Sequence, residues 1–200
     1  MPLAEILVVD DGSTDESYKI ARRYGVPAIR LPKNKGIGVA VREGLRVIAK
    51  HKKSIVIHDG DGQHDPKATP HLLRELDRAD IVIASRYIKN GQGGSTFLRK
   101  IGSILLSYAL FFRYKKMVYD PTSGFRALSS KAVDVLISRY PVVFPEPEVI
   151  AIAIEHGLAI KEIPVAMRPR MFGASSISLI KACTPMWYTL KKLLFAGKKS

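Results

Sequence analysis

Two carboxylates one residue apart follow a short apolar run in the segment 55–66, which reads IVIHDGDGQHDP. Asp59 and Asp61 supply hard oxygen ligands, and this spacing suits a divalent cation that in turn holds the phosphates of a nucleotide. Gly60 and Gly62 free the backbone around them. The alternative is a turn rich in Asp and Gly whose carboxylates only cap neighbouring backbone groups. The residues alone leave both interpretations open.

Buried strands alternate with helices along the first half of the chain, and Ser13 with Glu16 forms the pattern of a capping box. This alternation predicts an α/β domain with a doubly wound, mainly parallel sheet. The acidic pairs 10–11 and 59–61 and Arg86 should then meet at its carboxyl edge. The predicted strands are 5–9, 26–31, 55–58 and 80–85, and the predicted helices are 14–24, 34–50 and 66–78.

The second half of the chain is predicted to be richer in helices. The segment 97–112 has a wide apolar stripe bracketed by Lys and Arg, which suits either a core-packing helix or a helix lying in a lipid headgroup layer. The segment 120–127 is interpreted as a turn that leads through Ser129 or Ser130 into a helix. A helix over 144–157, a strand over 158–165 and an amphipathic tail follow.

Composition favours one domain with an anionic partner. The chain has 200 residues, 46% of them apolar, and its single cysteine excludes an internal disulfide. Its formal net charge is +14, and between Arg86 and Tyr119 there are seven Lys or Arg residues and no acid. Such a balance indicates lipid headgroups, a phosphorylated substrate or nucleic acid. Nucleic acid is disfavoured because the aromatic residues lie in the amphipathic helices rather than on a basic face.

Six segments together resemble family 2 glycosyltransferases, and within them the polyprenyl-phosphate (dolichyl-phosphate) mannose and glucose synthases. They are VVDDGSTDES, NKGIGVA, DGDGQHDP, SRY, DPTSGFRA and RPRMFGASS, and they span roughly residues 5–180. The resemblance implies a GT-A (Rossmann-like) fold with helices on both sheet faces over residues 1–175, followed by an amphipathic basic helix over 176–200. It also implies a GDP- or UDP-hexose donor, a Mg²⁺ or Mn²⁺ ion, and inversion at the anomeric carbon.

The resemblance gives roles to individual residues on the donor side. Asp10 and Asp11 would contact the donor nucleotide. Asp59 and Asp61 would be the metal-binding pair of a DxD motif, with Gln63 as a further candidate metal ligand. A metal held by these carboxylates would act as a Lewis acid towards the leaving diphosphate.

The acceptor side is assigned in the same way. Arg86 and Arg99 match basic residues that such synthases place near the acceptor phosphate, and Asp120 belongs to an acceptor-side loop. Arg170 and Ser175 match an R-x-x-G-x-S loop that closes over the diphosphate, where Arg170 would clamp the developing charge.

The acceptor itself is left open between two chemistries. A polyprenyl phosphate is already ionised and needs no general base, whereas a saccharide or protein hydroxyl needs one, for which Glu148 and Asp120 are candidates. The simpler role of Glu146 and Glu148 is to favour the positive end of a helix dipole. The basic segment 86–119 and the amphipathic helices favour the lipid phosphate and a peripheral position at the cytoplasmic face of the membrane.

The chain departs from the resemblance at its start. Relatives usually begin with an additional strand that helps to hold the base, and Met1 falls after that point. We therefore expect an N-terminally shortened domain, which could also be an inactive relative that only binds ligand. A sheet edge left open in this way could support pairing between copies of the chain.

Overall fold

The computed structural model describes residues 5–51, 53–88, 97–168 and 187–191, and for residues 97 and 98 the backbone only. Six strands form two sheets. The smaller sheet pairs β1 (Val8–Asp10) in parallel with β2 (Ala28–Arg30). The larger sheet has the order β3, β5, β4, β6, with bounds Ile55–Ile57, Arg126–Leu128, Ile81–Ser85 and Ile160–Pro164.

Strand β5 lies in the middle of the larger sheet, where the sequence predicted only a turn. It runs antiparallel to both β3 and β4, with Ala127 opposite Val56 on one side and Val82 on the other. Because β4 is parallel to β6, the strands β3, β4 and β6 share one direction. The interpretation of 120–127 as a turn alone was therefore wrong for its last two residues, which belong to β5. A three-residue strand containing a buried arginine, Arg126, carries almost no local signal.

The two sheets are separate within the described part of the chain, since β1 is hydrogen-bonded to β2 alone and β3 to β5 alone. Asp10 and Asp59 therefore end strands of different sheets, whereas the sequence predicted one. A cavity described below lies between β1 and β3 and is lined from both strands by apolar residues, among them Val9 and Ile55.

Besides the short helical segment 187–191, the described residues form six α-helices. Their bounds are α1 Ser17–Arg23, α2 Ile37–Ile48, α3 Thr69–Glu75, α4 Phe97–Tyr114, α5 Ser130–Leu136 and α6 Pro145–Glu155. Ser129 caps α5, because its side-chain oxygen accepts a hydrogen bond from the backbone N–H of Ala132 at 3.1 Å. The expected start of that helix is confirmed.

The capping box predicted for α1 does not form. The helix begins at Ser17 rather than Thr14, and its N-cap residue Glu16 makes no capping hydrogen bond. Ser13 instead donates its backbone N–H to the Asp10 carboxylate at 3.0 Å, while Glu16 accepts from Lys19 at 2.8 Å. The Asp10 carboxylate thus holds the turn in which the helix was expected to start.

Helices cover both faces of the larger sheet, as a doubly wound fold requires. Residues of β4 alternate between two clusters, and each of them is completely buried. Ile81 and Ile83 pack with residues of α2, α4, α5 and α6, whereas Val82 and Ala84 pack with Leu72 of α3. Residues 187–191 are helical, and Leu190 packs against the first cluster. Of the helices described, none is long and apolar enough to cross a membrane.

Candidate active site

A cavity of about 870 Å³ opens at the carboxyl ends of β3 and β4. Its wall includes the turn that follows β3, one side of α2, the N-terminal part of α4 and the loop that leads into α6. Six of the residues singled out from the sequence line it, namely Asp11, Asp59, Asp61, Gln63, Arg86 and Arg99. Acidic and basic groups therefore converge on one cavity, but Asp11 follows a strand of the smaller sheet, so they do not share the single sheet edge that was predicted.

The acidic turn after β3 is organised by its own hydrogen bonds. The carboxylate of Asp61 accepts the backbone N–H of Gln63 at 3.0 Å, and Gly62 adopts a left-handed φ of 75° that lets the chain reverse. Asp65 caps the following 3₁₀ turn by accepting the N–H of Lys67 at 3.0 Å. Asp61 and Asp65 thus accept backbone N–H groups, as the capping interpretation expects, and Asp59 and Asp61 also line the cavity.

His64 holds Asp59 in place. Its Nδ1 accepts the backbone N–H of Asp59 at 3.1 Å, and its ring stacks on Phe125 at 4.6 Å. Burial lowers the pKa of His64 to about 4, so the ring is neutral at physiological pH. With Nδ1 accepting, the ring proton is on Nε2, which lies 3.6 Å from the carboxylate of Asp59. His64 is therefore a positioning residue.

The two acids that follow β1 differ in position. Asp10 is buried, forms an ion pair with Arg30 at 3.2 Å, and does not line the cavity. Asp11 lines the cavity, and its two carboxylate oxygens accept the backbone N–H groups of Lys35 and Gly36 at 2.8 and 2.7 Å. Asp11 thereby joins the end of β1 to the start of α2, and of the two it is the one placed to meet a ligand.

Arg86 is held rigidly at the end of β4 by Asp120. Its Nε and one terminal nitrogen donate to the two carboxylate oxygens of Asp120 at 2.8 and 2.7 Å, and the same terminal nitrogen donates to Thr122 at 2.8 Å. Burial acts against the charge, but the hydrogen-bonded Asp120 raises the pKa of Arg86. Asp120 is completely buried behind Arg86 and does not line the cavity.

The loop that carries Asp120 is fixed from β6 and β4. Both oxygens of Glu162 accept backbone N–H groups, from Tyr119 and from Asp120, each at 2.8 Å. Ser123 donates its hydroxyl to the carbonyl of Ala84 at 2.8 Å. Gly124 follows, where an added Cβ would lie 3.2 Å from a carboxylate oxygen of Asp59. The acceptor-side loop and the acidic turn are therefore in contact.

Two further charged residues, Arg126 and Glu146, belong to this site but were not predicted from the sequence to do so. Arg126 is buried in β5 and donates to the carbonyls of Glu146 and Pro121 at 2.7 and 2.9 Å, so it ties the start of α6 to the acceptor-side loop. Glu146 lines the cavity, and burial raises the pKa of its carboxyl above the ordinary value. The only local signal was the FPEPE segment, interpreted as a charged helix start.

Glu148, the other proposed general base, lies on a different side of α6. It is buried and does not line the cavity, and its carboxylate accepts from the hydroxyl of Thr189 at 3.4 Å. The structure therefore brings neither Glu148 nor Asp120 to the cavity surface. Among the acidic residues of α6, Glu146 is the one that lines the cavity.

The chain leaving β6 returns to the acidic turn. Arg168 donates its backbone N–H to the carbonyl of Gln63 at 2.9 Å, and its side chain pairs with Asp65 at 3.0 Å. Met167 lines the cavity. Arg170 and Ser175, assigned to a loop that closes over the diphosphate, lie outside the described residues.

The acidic turn fits a divalent cation only if a bound ligand supplies some of the atoms that coordinate the ion. Asp59 and Asp61 present two carboxylates to one cavity, whereas the described residues contain no group of three or more His, Cys, Asp and Glu side chains that could hold a metal. Mg²⁺ and Mn²⁺ commonly take one or two protein carboxylates and complete their shell with substrate phosphates and water. The donor set fits this use, with the side-chain oxygen of Gln63 as an additional candidate.

A doubly wound sheet with paired carboxylates and a fixed arginine around one cavity defines the class of GT-A glycosyltransferases. Comparison with known sequences agrees, because the family profile described as Glycosyl transferase family 2 matches residues 1–137. The chain belongs to this family. The predicted fold is confirmed, and so is the resemblance to the family.

Two relatives illustrate the range of the family. The chain is 34% identical over 139 residues to the dolichol-phosphate mannosyltransferase of Pyrococcus furiosus. The aligned segment covers 65% of this chain and 39% of that protein. The chain is 31% identical over 184 residues to the UDP-N-acetylglucosamine–dolichyl-phosphate N-acetylglucosaminyltransferase of Methanococcus voltae, covering 80% and 73% respectively.

A solved structure shows the same fold. The chain superimposes on glucosyl-3-phosphoglycerate synthase from Mycobacterium tuberculosis, in complex with Mn²⁺ and uridine-diphosphate-glucose, with a TM-score of 0.68. The match covers 94% of this chain and 66% of that one, at 20% sequence identity.

Proposed function

We propose that the chain transfers a hexose from a nucleotide-diphosphate sugar to a polyprenyl phosphate, with inversion at the anomeric carbon. The observation that carries the proposal is the composition of the cavity wall. The cavity that holds the acidic pair is also lined by Arg86 and Arg99 together with Ser103 and Thr122, which are donors suited to a phosphate. Two relatives named for dolichyl-phosphate chemistry support this choice of acceptor.

The donor would bind at the acidic turn. Asp59 and Asp61 would hold Mg²⁺ or Mn²⁺, which supplies Lewis-acid stabilisation of the leaving diphosphate when bound. His64 holds the backbone of Asp59 in place by accepting its N–H. Asp11 lines the same cavity next to the start of α2, where the nucleoside portion would be held.

Acceptor phosphate would bind at Arg86. The bidentate contact with Asp120 fixes the plane of the guanidinium group, so little side-chain freedom is lost when an anion binds. Arg99 approaches from α4. The phosphate oxygen attacks as an anion, and neither Asp120 nor Glu148 is then required as a base.

Binding of the donor is tested by calorimetry of the 200-residue chain with a panel of GDP- and UDP-sugars, with and without Mn²⁺. We expect Mn²⁺-dependent binding of one donor in the wild type and its loss in Asp61→Ala. Asp77→Ala, which removes an exposed carboxylate at the end of α3, is the matched control and should bind as the wild type does. Equal donor binding by Asp61→Ala in excess Mn²⁺ would show that the metal assignment is wrong.

A second candidate function is transfer to a saccharide or protein hydroxyl, and one observation favours it. Glu146 lines the cavity, and burial raises the pKa of its carboxyl, which is the direction that favours a general base. Glu146→Gln separates the two functions. Transfer to a polyprenyl phosphate should persist in this variant, whereas transfer to a hydroxyl should fall by about 10²-fold or more. Wild-type activity with a polyprenol lacking the phosphate, lost in Glu146→Gln, would favour the second candidate.

A further inference from the structure

Helix α4 turns its apolar side away from the protein. Along its described side chains the large apolar residues recur at the spacing of one helix face, and that face is exposed. The exposed residues, hereafter the α4 apolar face, are Ile101, Ile104, Leu105, Tyr108, Phe111 and Phe112, with between 37% and 64% of their surface accessible. The expectation of an ordinary core-packing helix is wrong for this stripe.

The inward side of α4 explains this orientation. The residues that face the protein are mostly small, with two leucines that complete the core cluster. They are Gly102, Ser103, Leu106, Ser107, Ala109 and Leu110, all of them buried. Because these inward residues are mostly small, the helix can lie close against α6. The core is therefore filled without the six large apolar side chains, which remain on the outer surface of the helix.

The α4 apolar face is continuous rather than scattered. The rings of Tyr108 and Phe112 lie 6.4 Å apart, and those of Phe111 and Phe112 lie 6.0 Å apart. Isolated exposed apolar residues are common on soluble domains, but a contiguous patch of this kind marks a surface that binds something.

Positive charge surrounds this face at both ends of the helix. Lys100 lies at its start and Lys115 and Lys116 follow its end, all exposed. The Lys115 ammonium lies 5.9 Å from the ring of Phe111, at the boundary between charge and apolar surface. No acidic residue occurs between positions 86 and 119. An apolar face with exposed cations at both ends complements the acyl chains and anionic headgroups of a bilayer.

We propose that the α4 apolar face lies in the surface of an anionic membrane, parallel to it, next to the opening of the cavity. The helix of 18 residues would extend about 27 Å along the surface. Its inward side brings Arg99, Gly102 and Ser103 to the cavity. This inference rests on the proposed function, because it explains how a lipid-linked phosphate at headgroup level would reach Arg86 and Arg99.

The test is cosedimentation of the full chain with vesicles, without donor or acceptor. Vesicles of phosphatidylcholine are compared with vesicles containing about 30 mol% phosphatidylglycerol. The double variant Leu105→Gln/Phe112→Gln replaces two exposed residues of the face. The matched control, Ile20→Gln/Tyr24→Gln, replaces two exposed apolar residues at α1. We expect binding to the anionic vesicles, a loss of at least about tenfold in the first variant, and none in the control.

Any of three outcomes would overturn the inference. The first is that the wild type binds neither kind of vesicle, and the second is that both double variants bind equally. The third is that Leu105→Gln/Phe112→Gln abolishes self-association of the protein and leaves its vesicle binding unchanged. The last would mean that a second copy covers the face. Lys115→Gln/Lys116→Gln should weaken binding to anionic vesicles only, which separates the charge contribution from the apolar one.

An assay with a short, water-soluble prenyl phosphate distinguishes this inference from the proposed function. Transfer to that acceptor should be equal in the wild type and in Leu105→Gln/Phe112→Gln, since neither residue lines the cavity. Transfer without vesicle binding by the wild type would reject the membrane surface and keep the function. Vesicle binding without transfer to any acceptor would reject the function instead.

Discussion

Asp120 and Arg86 form a buried bidentate ion pair, with Nε to Oδ2 at 2.8 Å and the terminal nitrogen to Oδ1 at 2.7 Å. The backbone N–H of Arg86 also donates to Asp120, at 2.9 Å, so one carboxylate fixes both the side chain and the strand end. A carboxylate engaged in this way is a poor general base. Its position explains how an arginine can be presented to an anion at a defined angle.

Asp120→Asn tests this structural role. The amide keeps the shape but places an N–H₂ group against the guanidinium, so we expect a loss of about 3 kcal/mol in the free energy of unfolding. Urea denaturation measures it. Asp134→Asn, at an exposed position on α5, is the matched control and should change stability by less than about 0.5 kcal/mol. Unchanged stability with loss of turnover alone would instead indicate a catalytic base.

Gly124→Ala tests the contact between the acceptor-side loop and the acidic turn. The added methyl would lie 3.2 Å from an oxygen of Asp59, which must then shift by a few tenths of an ångström. We expect Mn²⁺-dependent donor affinity to fall about threefold to tenfold, because ligand geometry tolerates little displacement. Calorimetry against the donor identified above measures the change.

The matched comparison for that variant is Gly60→Ala, judged by stability. At Gly60 an added Cβ meets no protein atom within 4 Å. Both variants should therefore unfold at similar urea concentrations, within about 1 kcal/mol of the wild type. A large loss of stability in Gly124→Ala would show that the contact matters for folding rather than for the position of Asp59.

Asp80 is expected to make stability depend on pH. Partial burial acts to raise its pKa, but the hydrogen bond from the Ala159 N–H at 2.8 Å and the ion pair with Lys131 at 3.1 Å lower it overall. A lowered pKa in the folded state contributes stability above the unfolded value of about 3.9 and loses it as pH falls through the folded value.

Asp80→Asn should accordingly cost about 1 kcal/mol near pH 7, and the difference from the wild type should shrink below about pH 4. Urea denaturation across this pH range measures it, with Asp77→Asn as an exposed control from the neighbouring turn. A difference that is constant with pH would show that shape, not ionisation, explains the loss.

Much of this architecture follows from local patterns, and the exceptions have physical causes. The shared cavity position of Asp11, the acidic pair and Arg86 could be predicted because apolar strand runs end abruptly at polar residues, whereas the division into two sheets could not. Strand β5 could not, since its three residues depend on neighbours far away in sequence. The position of Glu146 likewise depends on a distant residue, because Arg126 donates to its carbonyl. The orientation of α4 depends on tertiary packing, since the core accommodates its small residues and two leucines rather than its large apolar stripe.

Gly38→Ala tests the closest approach between α2 and the loop before α6. An added Cβ would lie 2.5 Å from the Pro141 carbonyl oxygen and 2.6 Å from the Cα of Val142, and backbone atoms cannot yield as a side chain can. We expect a loss of about 2 kcal/mol in the free energy of unfolding.

Gly44→Ala in the same helix is the matched control. Its added Cβ would meet only a methyl group of Val9, at 3.1 Å, while both substitutions gain the same helix propensity. Stability should change by less than about 1 kcal/mol. Equal losses in the two variants would mean that the contact at Gly38 is not specific.

The backbone contact at Gly38 also bears on ligand affinity. It joins the helix behind Asp11 to the loop that leads to Val143 and Glu146, and these residues lie along the cavity. The two segments are already packed together before a ligand binds. A sugar donor would therefore meet a preorganised wall, and its binding would not be weakened by the entropy cost of ordering these segments. Loosening this contact should therefore weaken ligands that touch both segments more than ligands that touch one.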